Sequence, residues 1–145
     1  GLEDLRGDAV MLARHLRYLQ KRYWRSRYSV NFPRMRPSES GFKSKSIISD
    51  RQLVQLTCAF RIFDHEADIS FSTREASEYR DHIMPLGVTS MSAGSRTEPG
   101  GYETYADRAL EQFEVSDDRT PHEVAEAIRR GGYEPVWKDW DAIFD

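Results

Sequence analysis

Arginine and hydroxyl side chains follow three segments of the sequence that have the apolar pattern of β-strands. The residues after these segments are 33–37 (PRMRP), 72–75 (STRE) and 92–97 (SAGSRT). Arginine binds carboxylates and phosphates through two parallel hydrogen bonds, and a Gly-Ser turn lets backbone N–H groups approach an anion closely. Ligands of parallel sheets bind where the strands end at their carboxyl side, so we expect the three segments to meet at one edge, here called the rim. The pattern predicts a site for a small anion, such as a molecule with a carboxylate.

One alternative interpretation of the rim arginines stays open. Catalysis by a cysteine nucleophile and metal binding by histidines are both disfavoured. The arginines could instead pair with acidic neighbours such as Glu75 and Glu98. Cys58 lies between Val54 and Ile62 on a predicted helix, which is typical of a buried apolar cysteine rather than a nucleophile. Metal-ligand spacing is absent from the four histidines, which are His15, His65, His82 and His122.

The elements that must position the rim alternate between helix and strand. Apolar periodicity predicts helices at about 8–23, 49–62 and 77–84, and strands at 28–32, 68–72 and 88–92. Strands that alternate with helices are parallel and joined by right-handed crossovers. We therefore expect an α/β fold with about three parallel βα units of a (β/α) barrel, and an open doubly wound sheet is the alternative.

Local signals predict the ends and faces of the helices. Asp8 is the expected N-cap of the first helix, and Ser49 with Gln52 forms a capping box before the second. We expect the second helix to be broadly buried, because its apolar residues fall in two rows, Leu53, Leu56 and Phe60, and Val54, Cys58 and Ile62.

The alternation stops in the last third of the chain. A small strand is expected at 112–115, and a capping box between Thr120 and Glu123 predicts a final helix. We therefore divide the chain into a barrel part at 1–101 and a C-terminal appendage at 102–145 that packs on the main sheet.

The composition is typical of a folded protein outside the membrane. Of 145 residues, 39% are hydrophobic and 31% are charged, which excludes a disordered chain, and no apolar run approaches the roughly 20 residues of a membrane span. The single cysteine excludes an internal disulfide and favours a reducing compartment, so we expect a cytoplasmic protein with no membrane partner. The first residues lack a signal-peptide pattern. Because no Met begins the chain, we expect a stretch before Gly1 to be missing.

Positive charge is concentrated near the start of the chain. Residues 1–50 carry 11 Lys and Arg against 5 Asp and Glu, whereas residues 51–145 carry 10 against 19. A basic segment can attract nucleic acid, and the run 17–27 (RYLQKRYWRSR) has the composition of an RNA-contacting helix. Because Leu19 and Tyr23 continue a buried stripe, we expect these arginines to extend along a core helix, and we expect no nucleic-acid partner.

Several segments, taken in their order, resemble one family over nearly the whole chain. They are 18–25 (YLQKRYWR), 31–37 (NFPRMRP), 50–55 (DRQLVQ), 72–75 (STRE), 80–81 (RD), 90–102 (SMSAGSRTEPGGY), 111–113 (EQF) and 136–141 (VWKDWD). They resemble the 2-iminoacetate synthases, the radical S-adenosylmethionine (SAM) tyrosine lyases of thiamine biosynthesis. The related hydrogenase-maturation tyrosine lyases share the arginine and SAGS segments. They end in a Cys-rich tail, however, and this chain has WKDW at 137–140, which favours the thiamine branch.

The resemblance implies a fold, a reaction and partners. The fold would be the C-terminal portion of a (β/α)₈ radical SAM barrel, plus a small α/β appendage of the biotin and thiamin synthesis-associated region. In this family a 4Fe–4S cluster cleaves SAM to a 5′-deoxyadenosyl radical, which takes hydrogen from tyrosine. The Cα–Cβ bond then breaks and gives 2-iminoacetate and p-cresol. The expected partners are tyrosine, the N-terminal half of the barrel, and a thiazole synthase that receives the 2-iminoacetate.

The resemblance also assigns roles to residues of the rim. Arg74 would hold the carboxylate of the amino acid, and Ser92 would assist it as a hydroxyl and backbone donor. Ser72, Glu75 and Ser95 would line the substrate. The residues expected near SAM or the substrate are Arg34, Arg36 and Arg96.

The cysteine count departs from the family. The cluster needs three cysteines spaced Cys-x3-Cys-x2-Cys, and this chain has one. We therefore expect no catalytic residue and no metal ligand in this chain, and no activity from it alone. The alternatives are a non-enzymatic module of the family that acts on a thiazole synthase, and an unrelated anion- or RNA-binding α/β domain.

Overall fold

Helices and strands alternate along the chain as the apolar pattern predicts. The computed structural model describes residues 4–35, 45–97 and 115–137. Its elements are α1 (Leu5–Arg22), β1 (Ser29–Asn31), α2 (Asp50–Phe63), β2 (Asp68–Phe71), α3 (Ser77–Ile83), a short 3₁₀ helix (Met84–Leu86), β3 (Ser90–Met91) and α4 (Pro121–Arg130). No helix within these ranges is long and apolar enough to cross a membrane.

The three strands form one parallel sheet in the order β1–β2–β3. Val30 of β1 lies beside Ile69 of β2, and Ser70 of β2 lies beside Ser90 of β3. A helix connects each strand to the next, which is the usual connection between parallel strands. The predicted α/β fold with parallel βα units is confirmed, and the carboxyl ends of the three strands meet at one edge.

One face of the sheet forms the apolar core. Val30, Ile69 and Phe71 point to this face and are at most 7% exposed. Burial of an apolar side chain of this size contributes about 2 kcal/mol to folding. The helices cover this face with buried side chains, which are Leu16 of α1, Leu53 and Phe60 of α2, and Ile83 of α3.

Capping side chains determine where the helices begin. The predicted capping box of α2 is present, with the Ser49 N–H donating to Gln52 Oε1 at 2.9 Å. The prediction of Asp8 as the cap of α1 is wrong. The Asp4 carboxylate accepts from the Gly7 N–H at 2.9 Å and starts the helix earlier. Asp8 lies in the first turn instead, where its negative charge interacts favourably with the helix dipole.

Helix α2 is buried on one side only. Leu53 and Phe60 are buried as predicted, and Thr57 joins them. The prediction of a second buried row is wrong at Ile62, which is 87% exposed, while Val54 is half-buried. The sheet covers one stripe of the helix, and Ile62 lies outside that stripe.

The strands are shorter than the apolar pattern predicts, most clearly at β3. A strand was expected over 88–92, but regular pairing is limited to Ser90–Met91. The Thr89 hydroxyl accepts the hydrogen bond of the Ile69 N–H at 2.9 Å, where a backbone carbonyl would accept it in a regular ladder. The Thr89 N–H still donates to the Ile69 carbonyl at 2.9 Å, so the start of this strand is held by one backbone bond and one side-chain bond.

Helix α4 is joined to the sheet through the segment that precedes it. The predicted capping box is present, with the Thr120 N–H donating to a Glu123 carboxylate oxygen at 2.8 Å. The Asp117 N–H donates to the Thr73 carbonyl, just beyond β2, at 3.0 Å. The described part of the C-terminal segment therefore bonds to the loop that follows β2, and its packing on the main sheet stays a prediction.

Two predictions for the C-terminal part fall largely outside the described residues. Of the strand expected at 112–115, only Val115 is described, and it is not in a regular element. The division between 1–101 and 102–145 falls in an undescribed range. Both stay predictions.

Candidate functional site

The carboxyl ends of β2 and β3 bring two parts of the predicted rim together. The Ser92 N–H donates to the Phe71 carbonyl at 3.0 Å. This bond continues the β2–β3 pairing by one residue and places Ser92 next to the end of β2. Ser72, the first residue after β2, therefore shares this edge of the sheet with Ser92.

The loop after β2 buries every second residue. Thr73 and Glu75 are each 2% exposed, whereas Ser72 and Arg74 are half-buried. Ser72 and Arg74 therefore keep part of their surface in contact with solvent. The resemblance implies a carboxylate-binding role for Arg74 and a substrate-lining role for Ser72, and both roles stay predictions.

Small polar side chains line the sheet below the rim, on the face opposite the apolar core. Successive strand residues point to opposite faces, so the register aligns Asn31, Ser70 and Ser90 in one row across the three strands. None of these three residues is among the predicted site residues. For Asn31 and Ser70, a polar residue between two buried apolar neighbours is the signal that could have identified them. Ser90 has no such signal, because its neighbours Thr89 and Met91 are not buried.

Arg34 and Glu75 form an ion pair that joins the loops after β1 and β2. Arg34 Nε donates to both carboxylate oxygens of Glu75 at 3.1 Å, and Nη2 donates to the same carboxylate. Arg34 Nη1 donates to the Ile48 carbonyl at 3.1 Å and to the Asp50 carboxylate at 2.5 Å. The hydrogen bonds to Glu75 outweigh the effect of burial and raise the pKa of Arg34 above its ordinary value. Arg34 is thus a fixed charge between β1, β2 and α2.

The outcomes for the other predicted site residues differ. Arg34 and Glu75 agree with the alternative interpretation, in which a rim arginine pairs with an acidic neighbour. After β3, Ser95 is half-buried and Arg96 is exposed. Arg36 lies outside the described residues. The predicted contacts of these five residues with a ligand stay predictions.

Four charged residues behind the rim were not predicted as a group. Arg80 of α3 is fully buried and donates to the Asp117 carboxylate and to the main-chain carbonyl of Ser92. Arg119 donates to Asp117 at 2.8 and 2.9 Å and to the two carboxylate oxygens of Asp81 at 3.0 and 3.1 Å. The two arginines and two aspartates balance in charge. They are called the Arg–Asp quartet below.

The Arg–Asp quartet had a weak signal in the sequence. Arg80 and Ile83 are both buried on α3, and residues three apart lie on the same side of a helix. An arginine on the buried side of a helix predicts an acidic partner, since charged residues are rarely buried unpaired. The partner itself, Asp117, lies 37 positions away, and no local pattern connects the two.

Replacing Asp117 with asparagine is expected to destabilise the protein at neutral pH and much less in acid. Burial alone would raise the pKa of the Asp117 carboxyl, but hydrogen bonds from Arg119 and the charge of Arg80 lower it below its ordinary value. Stability from such a group is present above its unfolded-state pKa, about 4, and is lost as pH falls through the lower folded-state pKa. We expect a loss of about 2 kcal/mol at neutral pH. It should shrink progressively as the pH is lowered below the unfolded-state pKa.

Urea denaturation of both proteins across this pH range measures the difference. A difference in free energy of unfolding that stays constant from neutral pH into strong acid would contradict a charged Asp117 in the folded state.

The residues of this chain do not fit an iron–sulfur cluster, which cysteine thiolates normally hold. Cys58 is the single cysteine of the sequence, and it is half-buried on α2. Within residues 4–35, 45–97 and 115–137, no group of three His, Cys, Asp or Glu side chains could hold a metal ion. The chemistry available at the rim is anion binding by arginine, hydroxyl and backbone donors.

A cavity of about 860 Å³ lies at the opposite, amino edge of the sheet. Its buried carboxylate, Asp64, is already paired, because it lies 3.9 Å from Arg17 and accepts from the N–H groups of Glu66 and Ala67. This edge of a parallel sheet is usually associated with stability, and the carboxyl edge with ligands. We therefore place the candidate site at the rim.

Comparison with known proteins gives similarities in both sequence and structure. The family profile described as Biotin and Thiamin Synthesis associated domain matches residues 31–134. A relative from Escherichia coli named 2-iminoacetate synthase is 51% identical over 145 residues, and one of the same name from Salmonella typhimurium is 49% identical over 143 residues. Each comparison covers 98% of this chain and 38% of the relative. The chain therefore spans well under half the length of these curated relatives.

A solved structure is also similar. The crystal structure of HydG, a maturase of the FeFe-hydrogenase, matches with a TM-score of 0.81 at 30% sequence identity. The match covers 92% of this chain and 29% of the HydG chain.

Proposed function

Because the chain belongs to the biotin and thiamin synthesis associated domain family, we propose that it is the substrate-binding, C-terminal part of a radical SAM tyrosine lyase. The resemblance to the 2-iminoacetate synthases is confirmed by 51% identity to the Escherichia coli protein of that name. The likeness to HydG supports a barrel portion for the fold. In the proposed reaction, the Cα–Cβ bond of tyrosine is cleaved to 2-iminoacetate and p-cresol, and the 2-iminoacetate serves thiazole synthesis for thiamine.

The arrangement of Ser72, Arg74 and Ser92 is the observation that carries this proposal. They follow two paired parallel strands and lie at the carboxyl edge, where ligands of such sheets bind. Ser72 and Arg74 are accessible, while their neighbours Thr73 and Glu75 are buried and anchor the loop. A carboxylate that approaches this edge would meet a guanidinium and two hydroxyls.

Each rim residue has a proposed role in holding tyrosine. Arg74 binds the carboxylate through two parallel hydrogen bonds, and Ser92 and Ser72 donate from the side. Glu75 acts by holding Arg34 in place between β1 and β2. The residues proposed to lie nearer to SAM or to the outer part of the substrate are Ser95, Arg96 and Arg36.

The complete enzyme would need chemistry that this chain does not carry. SAM, cleaved at a 4Fe–4S cluster, would supply the radical that starts the reaction. The cluster ligands would come from another part of the protein, which we propose is the N-terminal half of the barrel, because this chain has one cysteine. The contribution of this chain is to hold the amino acid in one orientation, and fixed geometry of this kind can account for a large part of a rate enhancement.

The chain by itself is expected to produce no p-cresol. The test is anaerobic reconstitution of the 145-residue chain with iron, sulfide, SAM and tyrosine, followed by chromatography for p-cresol. A full-length 2-iminoacetate synthase in the same mixture is the positive control. Formation of p-cresol by the chain alone would overturn the assignment of the cluster to another part of the protein.

The related hydrogenase-maturation lyases are the second candidate function, because HydG has the same fold over 92% of the chain. Sequence identity favours the first candidate, at 51% against 30%. The gene sequence upstream of Gly1 tests whether the chain is part of either lyase, since both require a Cys-x3-Cys-x2-Cys motif there. A start codon close to Gly1 would favour the non-enzymatic module that acts on a thiazole synthase.

A further inference from the structure

We propose that the Arg–Asp quartet positions the carboxylate-binding side chains of the rim, with Arg80 and Asp117 as positioning residues for the substrate. This inference rests on the proposed function, because it names what fixes the site that binds tyrosine. Neither residue is accessible to a ligand, since Arg80 is fully buried and Asp117 is 1% exposed. Both would act through the main chain of the two loops that carry the ligand-binding side chains.

Asp117 connects to the loop after β2 through its backbone. The N–H groups of Ser116 and Asp117 both donate to the Thr73 carbonyl at 3.0 Å. Thr73 lies between Ser72 and Arg74, so these two bonds hold the peptide that separates the two ligand-binding side chains. The position of Arg74 therefore depends on the position of Asp117.

Arg80 connects Asp117 to the loop after β3. Its guanidinium donates to the Asp117 carboxylate and to the main-chain carbonyl of Ser92. The planar guanidinium of Arg80 thus sets the separation between Asp117 and Ser92, the residue that would assist Arg74. Arg80 and Asp117 together link both sides of the carboxylate site.

Arg119 adds a second attachment to the loop after β3. Its carbonyl accepts from the Gly94 N–H at 3.1 Å, while its guanidinium holds Asp117 and Asp81. Gly94 has a φ of +62°, and a Cβ there would lie 3.1 Å from Pro121 Cδ. The β3 loop is therefore fixed on both sides of Ala93, at Ser92 and at Gly94.

The energetics favour a positioning role over a purely stabilising one. Burying an ion pair is costly, and apolar replacements of similar volume are often as stable or more stable. A charged network does, however, restrict the loops that it bonds to a single geometry. Binding sites need their side chains held within about 0.5 Å of the productive arrangement, and loops ordered in advance avoid an entropy cost on binding.

The test compares two ligands that differ only in the carboxylate. Tyrosine and tyramine binding are measured anaerobically with the complete lyase and its Asp117→Asn variant. Asparagine keeps the side-chain shape and the backbone donor to Thr73, but it weakens the bonds that Arg80 and Arg119 make. We expect the affinity for tyrosine to fall about tenfold, with tyramine affinity unchanged.

A matched control separates positioning from loss of stability. Asp64 is also a buried aspartate, 6% exposed, but it lies at the amino edge of the sheet. Asp64→Asn is expected to lower the melting temperature and to leave the tyrosine-to-tyramine affinity ratio unchanged. Arg80→Lys, which keeps the charge, should retain more tyrosine affinity than Arg80→Met. If Asp117→Asn does not fold, Arg119→Lys is measured in its place.

The outcomes are distinguishable. Equal losses for tyrosine and tyramine, or the same change in ratio with Asp64→Asn, would overturn the positioning role and leave the proposed function intact. A wild-type lyase that does not bind tyrosine would instead overturn the proposed function, and this inference with it.

Discussion

Replacing Arg74 with methionine is expected to weaken tyrosine binding to the complete lyase by roughly a hundredfold, which corresponds to about 3 kcal/mol. The physical reason is that a guanidinium and a carboxylate form two parallel charge-assisted hydrogen bonds, and methionine offers no donor. Arg74 is half-buried, and methionine keeps its unbranched stem, so packing of the loop is largely preserved. Equilibrium binding of tyrosine under anaerobic conditions measures the effect.

Two control variants test whether the loss of affinity comes from the paired hydrogen bonds of Arg74. Arg74→Lys keeps the positive charge but cannot form the two parallel bonds, so its affinity for tyrosine should lie between those of wild type and Arg74→Met. Arg129 is exposed on α4, away from the rim, and Arg129→Met should bind tyrosine as wild type does. Undiminished tyrosine affinity in Arg74→Met would remove Arg74 from the carboxylate site.

Replacing Arg34 with methionine is expected to lower the free energy of unfolding by about 3 kcal/mol. Glu75 is 2% exposed and would lose the hydrogen bonds that it accepts from Arg34 Nε and Nη2. Adding Glu75→Leu to this variant should recover part of the loss, because the buried carboxylate is then removed as well. Urea denaturation of the two single variants and the double variant gives the coupling energy directly.

The exposed partner of the same arginine provides the control. The Asp50 side chain is 69% exposed in its contact with Arg34, and exposed ion pairs contribute at most about 1 kcal/mol. Asp50→Asn should therefore cost far less than Arg34→Met. Similar losses for the two variants would mean that Arg34 is not held chiefly by Glu75.

The features that were predictable from the sequence depend on residues close together in the chain. The capping boxes at Ser49 and Thr120 each involve a partner three positions on, and both are present. The parallel order of the strands followed from their alternation with helices. The resemblance identified the family from the order of short motifs, and the rim followed because parallel strands end at the same edge.

The features that were missed depend on contacts across the fold. The exposure of Ile62 depends on which stripe of α2 the sheet covers, and periodicity alone does not decide this. The Arg–Asp quartet joins α3 to a segment more than 30 positions away. The sequence predicted only that a rim arginine could pair with an acidic neighbour. It did not identify Arg34 and Glu75 as partners, because no local pattern connects residues 41 positions apart.

The long separations between partners at the rim have a consequence for the order of folding. Arg34 and Glu75 are 41 positions apart, and Arg80 and Asp117 are 37 apart. Closing loops of this length costs chain entropy that only simultaneous contacts can offset. During synthesis, the sheet can pair once β3 has left the ribosome, but the Arg–Asp quartet cannot form before Asp117 emerges. A nascent chain arrested after β3 and before Asp117 would have its strands paired and the rim loops without their contacts to the Arg–Asp quartet.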